Sequence, residues 1–294
     1  LRASLLDINF LYFLMGVVSV GGLSLAAAAM VRGGRLDPDS GVARHVARMR
    51  GALPAVVVLS VTTIVAGVQG GLERTVQTAL GWDFTPHVHA LEGDLVARVQ
   101  AAIRNPILDV VLVSVYTAGA FLLYFVPFFA LVALGRGRSA MRVACTVAGI
   151  WAVGVVCYFF LPVKEVWYSG LGGAQPILFE YFPEYDHSPT YMNSIDNNVP
   201  SLHTALSCGI ALALWLARER WLAIPATAVA AGITMATMYL GIHWVTDVAT
   251  GLLTMGAAAW LAHRRLPREE RPFTPFAWVR AKLRRKRIGD VAEA

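Results

Sequence analysis

Long apolar runs dominate this chain, and each is long enough to cross a bilayer. The hydrocarbon core is about 30 Å thick, so an α-helix needs about 20 predominantly apolar residues to span it. Inside lipid every backbone polar group must be bonded within the protein, so only helices and closed barrels cross. Seven runs read as helical spans: 8–31, 52–70, 107–134, 141–162, 200–217, 221–240 and 243–262. The first exceeds the roughly 7–15 apolar residues of a signal peptide and has only Arg2 as an early positive charge, so it counts as a span. Of the 294 residues 56% are hydrophobic and only 15% are charged, against about 25% charged in soluble domains. The expected fold class is therefore all-α, a polytopic membrane helix bundle of about seven spans.

The charged residues set an expected orientation. Arg44, Arg48 and Arg50 follow the first run, Arg136 and Arg138 the third, Arg218 and Arg220 the fifth, and a dense basic stretch the seventh. Alternating spans put all of these on one side, which the positive-inside rule makes the cytoplasm. The net charge of +6 is explained by this topology, and no nucleic-acid motif accompanies it. The segments 71–106 and 163–199 and the turn 240–243 then fall on the non-cytoplasmic face. Apolar positions in 86–103 recur at helical spacing, predicting one amphipathic helix lying at the interface. Asp109, at the start of a span, reads as an interfacial residue. Cys145, Cys157 and Cys208 lie inside apolar runs and read as packing residues, not a disulfide framework. Three regions result: N-terminal spans and the amphipathic segment (1–104), a membrane core (105–262) and a basic cytoplasmic tail (263–294).

Two segments carry chemistry. The first is Asn197-Asn198-Val199-Pro200-Ser201-Leu202-His203-Thr204-Ala205. Pro200 suits the first turn of a helix, whose unpaired N–H groups and dipole favour an anion. Ser201 adds a hydroxyl donor, and His203 lies in the same first turn. Asn198 is a weaker candidate for substrate contact, with loop capping as its simpler role. The second segment is Tyr239-Leu240-Gly241-Ile242-His243-Trp244-Val245-Thr246-Asp247. His243 and Asp247 are four apart and would share one helix face. A carboxylate there would hold one imidazole nitrogen and leave the other as nucleophile or base. Two histidines at one face of the bilayer would divide a phosphoryl transfer, one attacking phosphorus and the other protonating the leaving oxygen. His87, His89 and His187 read as solvated loop residues.

These segments resemble the second and third signature motifs of the type-2 phosphatidic acid phosphatase superfamily. The form Val199-Pro200-Ser201-Leu202-His203-Thr204-Ala205 is similar to its inositol-phosphotransferase branch, which includes inositol phosphorylceramide synthases. The resemblance covers roughly 105–262. It implies a core of six helices and a metal-independent reaction without cofactor. It also implies that His243 becomes phosphohistidine, that Asp247 orients it, and that His203 is general acid and then base. The substrate class implied is a lipid phosphate or phospholipid. The family's first motif, a lysine followed by Arg-Pro, is matched only by Lys164 in Leu161-Pro162-Val163-Lys164-Glu165-Val166-Trp167-Tyr168. The Ser-Arg that opens its third motif is replaced by Ala236-Thr237. Lys164 is thus the candidate phosphate clamp, its plainer role being that of an interfacial lysine. Trp167-Tyr168 resembles a synthase-branch motif, which makes Tyr168 a weak candidate for substrate contact. Two functions follow: a phosphatase or phospho-headgroup transferase of the cell membrane, or a catalytically silent lipid-binding or transport protein of the same fold.

Overall fold

The computed structural model describes residues 41–183 and 195–266. The run 8–31, His187 and most of the basic tail lie outside the described residues. In chain order the helices are α1 (Gly41–Arg50), α2 (Leu53–Leu80), α3 (Thr85–Glu92), α4 (Leu95–Ile103) and α5 (Pro106–Ser114). A π-helical turn (Val115–Gly119) carries α5 into α6 (Ala120–Ala133). Then follow α7 (Gly137–Phe160), α8 (Val166–Ser169), α9 (Ile177–Tyr181), α10 (Leu202–Leu216), α11 (Arg220–Tyr239) and α12 (Val245–Arg265).

Among the described residues five helices are long and apolar enough to cross a bilayer: α2, continuous α5–α6, α7, α11 and α12. They mark an integral membrane protein. The helix α10 has 15 residues, so at 1.5 Å per residue it is only about 22 Å long, short of the roughly 30 Å hydrocarbon core.

The lipid-facing and core-facing sides separate as helical periodicity requires. Along α2, Val57, Val61, Ile64, Val65, Val68 and Leu72 are exposed, a stripe suited to acyl chains. Ala205 and Ala213 of α10 are buried in one cluster with Ala223, Ala226 and Ala230 of α11. Small residues of this kind let helix backbones approach closely in lipid. The helix α10 is central, packing on α6, α7, α11 and α12.

Contacts at the two ends show that the spans alternate. At one end Arg136 bridges to Glu219 at 2.6 Å, and Ser139 donates to the same carboxylate. Arg142, almost fully buried, donates to Leu216 O and Leu266 O, closing the C-termini of α10 and α12. This is the basic end. At the other end the segment 163–182 docks on the turn 240–244. Val166 and Trp167 N–H donate to Ile242 O and Gly241 O. Gly241 has φ +81, and a Cβ there would stand 2.5 Å from Gln175 O. Only glycine serves at that position.

Four expectations are corrected. The second span continues ten residues past 70, to Leu80. Polar Gln69, Glu73 and Gln77 are buried along it, with Gln77 donating to Tyr158 O at 2.8 Å. The segment 86–103 is two helices, broken at Gly93, where φ is 59 and ψ −131. Asp109 is buried, 4% exposed, accepting from Tyr239 O–H at 2.5 Å and facing Arg104 at 3.5 Å. Finally, Pro200 precedes the helix rather than opening it, because Ser201 is the N-cap of α10.

Candidate active site

The starts of α10 and α12 meet at the end opposite the basic one. Ser201 N–H donates to Asp247 O at 2.9 Å, and Asn198 Nδ2 donates to Ile242 O at 3.2 Å. Tyr158 O–H ties the same loop from α7, donating to Pro200 O at 3.0 Å. These bonds bring His203 and His243 together, with ring centroids 5.8 Å apart. A near-attack nitrogen sits about 3–3.5 Å from its target atom, and a proton donor about 3 Å from the oxygen it serves. Both rings can therefore engage one phosphate ester, one at phosphorus and one at the ester oxygen.

Asp247 stands behind His243 by a route the sequence did not suggest. His243 lies in the turn before α12, not on its face, because the helix begins at Val245. Asp247 Oδ2 accepts from Trp244 N–H at 2.8 Å, capping the helix, and lies 3.4 Å from His243 Nδ1. That separation is longer than a strong hydrogen bond, and such contacts tighten when substrate binds. His243 is 3% exposed, and burial holds its imidazole well below the ordinary histidine range. A neutral ring with one nitrogen turned towards a carboxylate is the form a nucleophile needs.

The remaining sequence candidates are placed differently. Ser201 is fully buried; its hydroxyl accepts from Thr204 N–H and donates to Thr204 Oγ1. It caps α10 and orients His203 two residues on. Asn198, 1% exposed, joins the two histidine-bearing loops. Lys164 Nζ bonds Asp83 at 2.9 Å, and that hydrogen bond raises the lysine. Burial pushes Asp83 upward, but hydrogen bonds from Thr85 and Lys164 outweigh it and leave the carboxyl below its usual value. Tyr168 is 39% exposed and packs edge-on against Trp167 at 5.5 Å. Ala236 and Thr237, where the family's arginine would stand, are fully buried. Thr237 O accepts from Ile242 and His243 N–H, bracing the turn that carries His243.

Three residues near the site escaped the sequence reading. Tyr116 in the π-turn places its hydroxyl 3.1 Å from His203 Nε2, with ring centroids 4.7 Å apart. Glu165, 5% exposed, accepts from Trp167 Nε1 and is near enough for its charge to bear on Tyr116. Glu92 accepts from Val245 N–H at 2.8 Å and from Thr246 N–H. The positive end of α12 is thus occupied by the protein's own carboxylate. Glu92→Ala is expected to destabilise the fold by about 0.5–2 kcal/mol, the usual worth of a cap. Thermal unfolding in detergent checks this, and an unchanged midpoint would remove Glu92 from that role.

A sequence profile of the PAP2 superfamily matches residues 86–261, which includes both histidines, Asp247 and Lys164. An uncharacterized protein of Methanocaldococcus jannaschii is 33% identical over 103 residues. That alignment takes in 35% of this chain and 39% of the relative, so the chain spans about two fifths of the relative's length. No solved structure matches.

Proposed function

Because the chain belongs to the PAP2 superfamily, a family of membrane phosphatases, we propose that it transfers the phosphoryl group of a lipid phosphate ester through phospho-His243. The observation that carries this reading is the approach of two imidazoles to 5.8 Å, one from the first turn of α10 and one from the turn before α12, the latter backed by a carboxylate.

The chemistry runs in two steps. The His243 lone pair forms the N–P bond as the P–O bond of the ester breaks. The departing alcohol oxygen takes a proton from His203. An acceptor hydroxyl then gives its proton to His203 and attacks phosphorus, and the N–P electron pair returns to His243. Asp247 stabilises the positive charge that builds on the His243 ring. The bound phosphate dianion favours the protonated form of His203 at the start of the cycle.

Water as acceptor makes a phosphatase, and a lipid or polyol hydroxyl makes a transferase. The transferase reading draws on two observations. Ala236 and Thr237 brace the turn where the phosphatases carry an arginine clamp, and Lys164 is engaged by Asp83. Its position opposite the arginine-rich junctions supports a site on the non-cytoplasmic face of the cell membrane and a cytoplasmic C-terminus.

The test supplies labelled phospholipids and lipid phosphates to the purified protein in vesicles. Label released as free phosphate establishes hydrolysis, and label in a new lipid establishes transfer. No product from any of them would overturn the proposal and leave a silent lipid-binding protein. The rate is expected to be bell-shaped in pH, since one ring must be neutral and the other protonated. With His243 depressed by burial, the acidic limb should fall below the ordinary imidazole value of about 6.5. A profile rising without a maximum across pH 5–9 would count against two-histidine catalysis.

A further inference from the structure

A buried carboxyl lies outside the site described above and outside the region that the family profile matches. Glu73 belongs to α2 (Leu53–Leu80), whereas the profile begins at residue 86. It is 1% exposed, and with Gln69 and Gln77 it forms a row of polar residues, four apart, on the buried side of α2. An ionisable side chain inside a membrane-spanning helix is costly unless it is paired or neutral, and it marks a functional site by default. Gln69 Nε2 donates to Glu73 Oε2, and Asn197 Nδ2 donates to the same oxygen at 3.4 Å. The other oxygen, Oε1, is buried and has no partner. Asp196, the chain neighbour of Asn197, likewise has a buried oxygen, Oδ1, without a partner. The two carboxyls are near enough for the charge of one to bear on the other.

Two bare carboxylates close together in a dry interior repel each other and forgo hydrogen bonds. One proton removes both costs. Placed on Glu73 Oε1 it is donated to Asp196 Oδ1, while Oε2 goes on accepting from Gln69 and Asn197. A metal cation fits less well. Calcium takes about six to eight oxygens, and among the described residues no group of three acidic, histidine or cysteine side chains converges. We infer that Glu73 and Asp196 share one proton, and that this acid pair is a latch holding the loop before α10, and through it His203, against α2. The loop is fixed at both ends: Asp196 O accepts from Val163 N–H at 2.9 Å, and Pro200 O from Tyr158 O–H at 3.0 Å. The charged groups facing Asp196 are Lys164, Asp83 and Arg74, and Tyr158 faces Glu73. Burial outweighs the two cations and raises the Asp196 carboxyl. The latched form thus holds a proton that the released loop, with carboxyls near the ordinary value of about 4, gives up. Raising the pH through the pair's own range therefore weakens the latch. The effect on His203 rests on the phosphohistidine reading, whereas the shared proton does not.

The experiment uses the full chain in vesicles and reads protonated carboxyls by their infrared carbonyl stretch, which is distinct from that of a carboxylate. Between about pH 5 and 9 wild type should lose one such band that Glu73→Gln lacks. Asp196→Asn should keep the band with its midpoint lowered by about 1 pH unit or more, because the like charge that held the proton has gone. In Glu73→Gln the same two donors orient the amide, so its N–H group faces Asp196 and bonds it without a proton that can leave. Its thermal midpoint should therefore fall with pH less than about half as steeply as that of wild type. A role in packing alone would lower the midpoint and leave the slope. With p-nitrophenyl phosphate, the ratio of kcat/KM at pH 9 to that at pH 7 should be about 3-fold or more higher in Glu73→Gln than in wild type. A band that titrates alike in wild type and Glu73→Gln, or an unmoved midpoint in Asp196→Asn, overturns the shared proton. A thermal slope and rate ratio equal to wild type in Glu73→Gln, with the band gone, overturn the latch. Should Glu73→Gln fail to fold, the band of wild type and its shift in Asp196→Asn still decide the shared proton. If His243→Ala turns over the ester like wild type, the phosphohistidine reading fails while the infrared result stands or falls by itself.

Discussion

His243→Ala should leave no phosphorylated protein and cut turnover by at least about 10³-fold, since the nucleophile and its partners act as a unit. His203→Ala should fail differently. With a nitrophenyl ester the first step needs little proton help, so His243 is still phosphorylated. The second step then lacks its base, and label should stay on the protein as an alkali-stable, acid-labile phosphoramidate. The measurement is a single-turnover experiment with labelled ester, quenched in alkaline detergent. The two variants are predicted to differ in kind because the rings, though only 5.8 Å apart, are supported differently. One is buried in a turn beside Asp247, and the other stands in the first turn of α10 beside Tyr116. Turnover by His243→Ala equal to wild type would remove the nucleophile from the scheme.

Gly251→Ala should be the most damaging small substitution away from the reacting atoms. A Cβ at Gly251 would stand 2.7 Å from Ser201 O. That oxygen belongs to the backbone of the α10 N-cap and cannot swing aside, so the start of α10 must move. His203, two residues on, would move with it while His243 stays on the α12 side. Overpacking of this kind costs about 1–3 kcal/mol, and a displacement of about 1 Å at reacting groups lowers rate by about 10²-fold. Gly256, on the same helix, has nothing within 4 Å of its would-be Cβ, so Gly256→Ala should gain up to about 1 kcal/mol of helix stability and keep its rate. Thermal midpoints and kcat/KM for the pair decide the matter. Gly251→Ala indistinguishable from Gly256→Ala would show that the contact does not set the spacing of the histidines.

How far each feature could be read in advance follows from what it depends on. Five of the seven expected spans came through among the described residues, because lipid solubility is carried residue by residue. The runs expected at 107–134 and 221–240 are Pro106–Ala133 and Arg220–Tyr239. Hydropathy misplaced the end of α2 because Glu73 and Gln77 look like solvated residues until Asn197 and Tyr158 are set against them. It also gave α10 the length of a full span, although Ser201 starts that helix late. The pair His243 and Asp247 was visible at a spacing of four, but its geometry is that of a capped helix start, which spacing alone does not distinguish from a shared helix face.

By itself the sequence determined that this chain inserts in a membrane as helices and that two histidine-bearing segments share one end of it. Those conclusions rest on the partitioning of single side chains and on alternation. The tertiary structure alone decided that Ser201 and Asn198 clasp loops, that Lys164 pairs with Asp83, that Glu92 caps α12, and that Tyr116 meets His203. Each is a pairwise contact between groups distant in the chain; Tyr116 and His203 are 87 positions apart. Directional bonds exist only once packing has brought donor and acceptor within about 3 Å, and no property of either residue alone records that meeting.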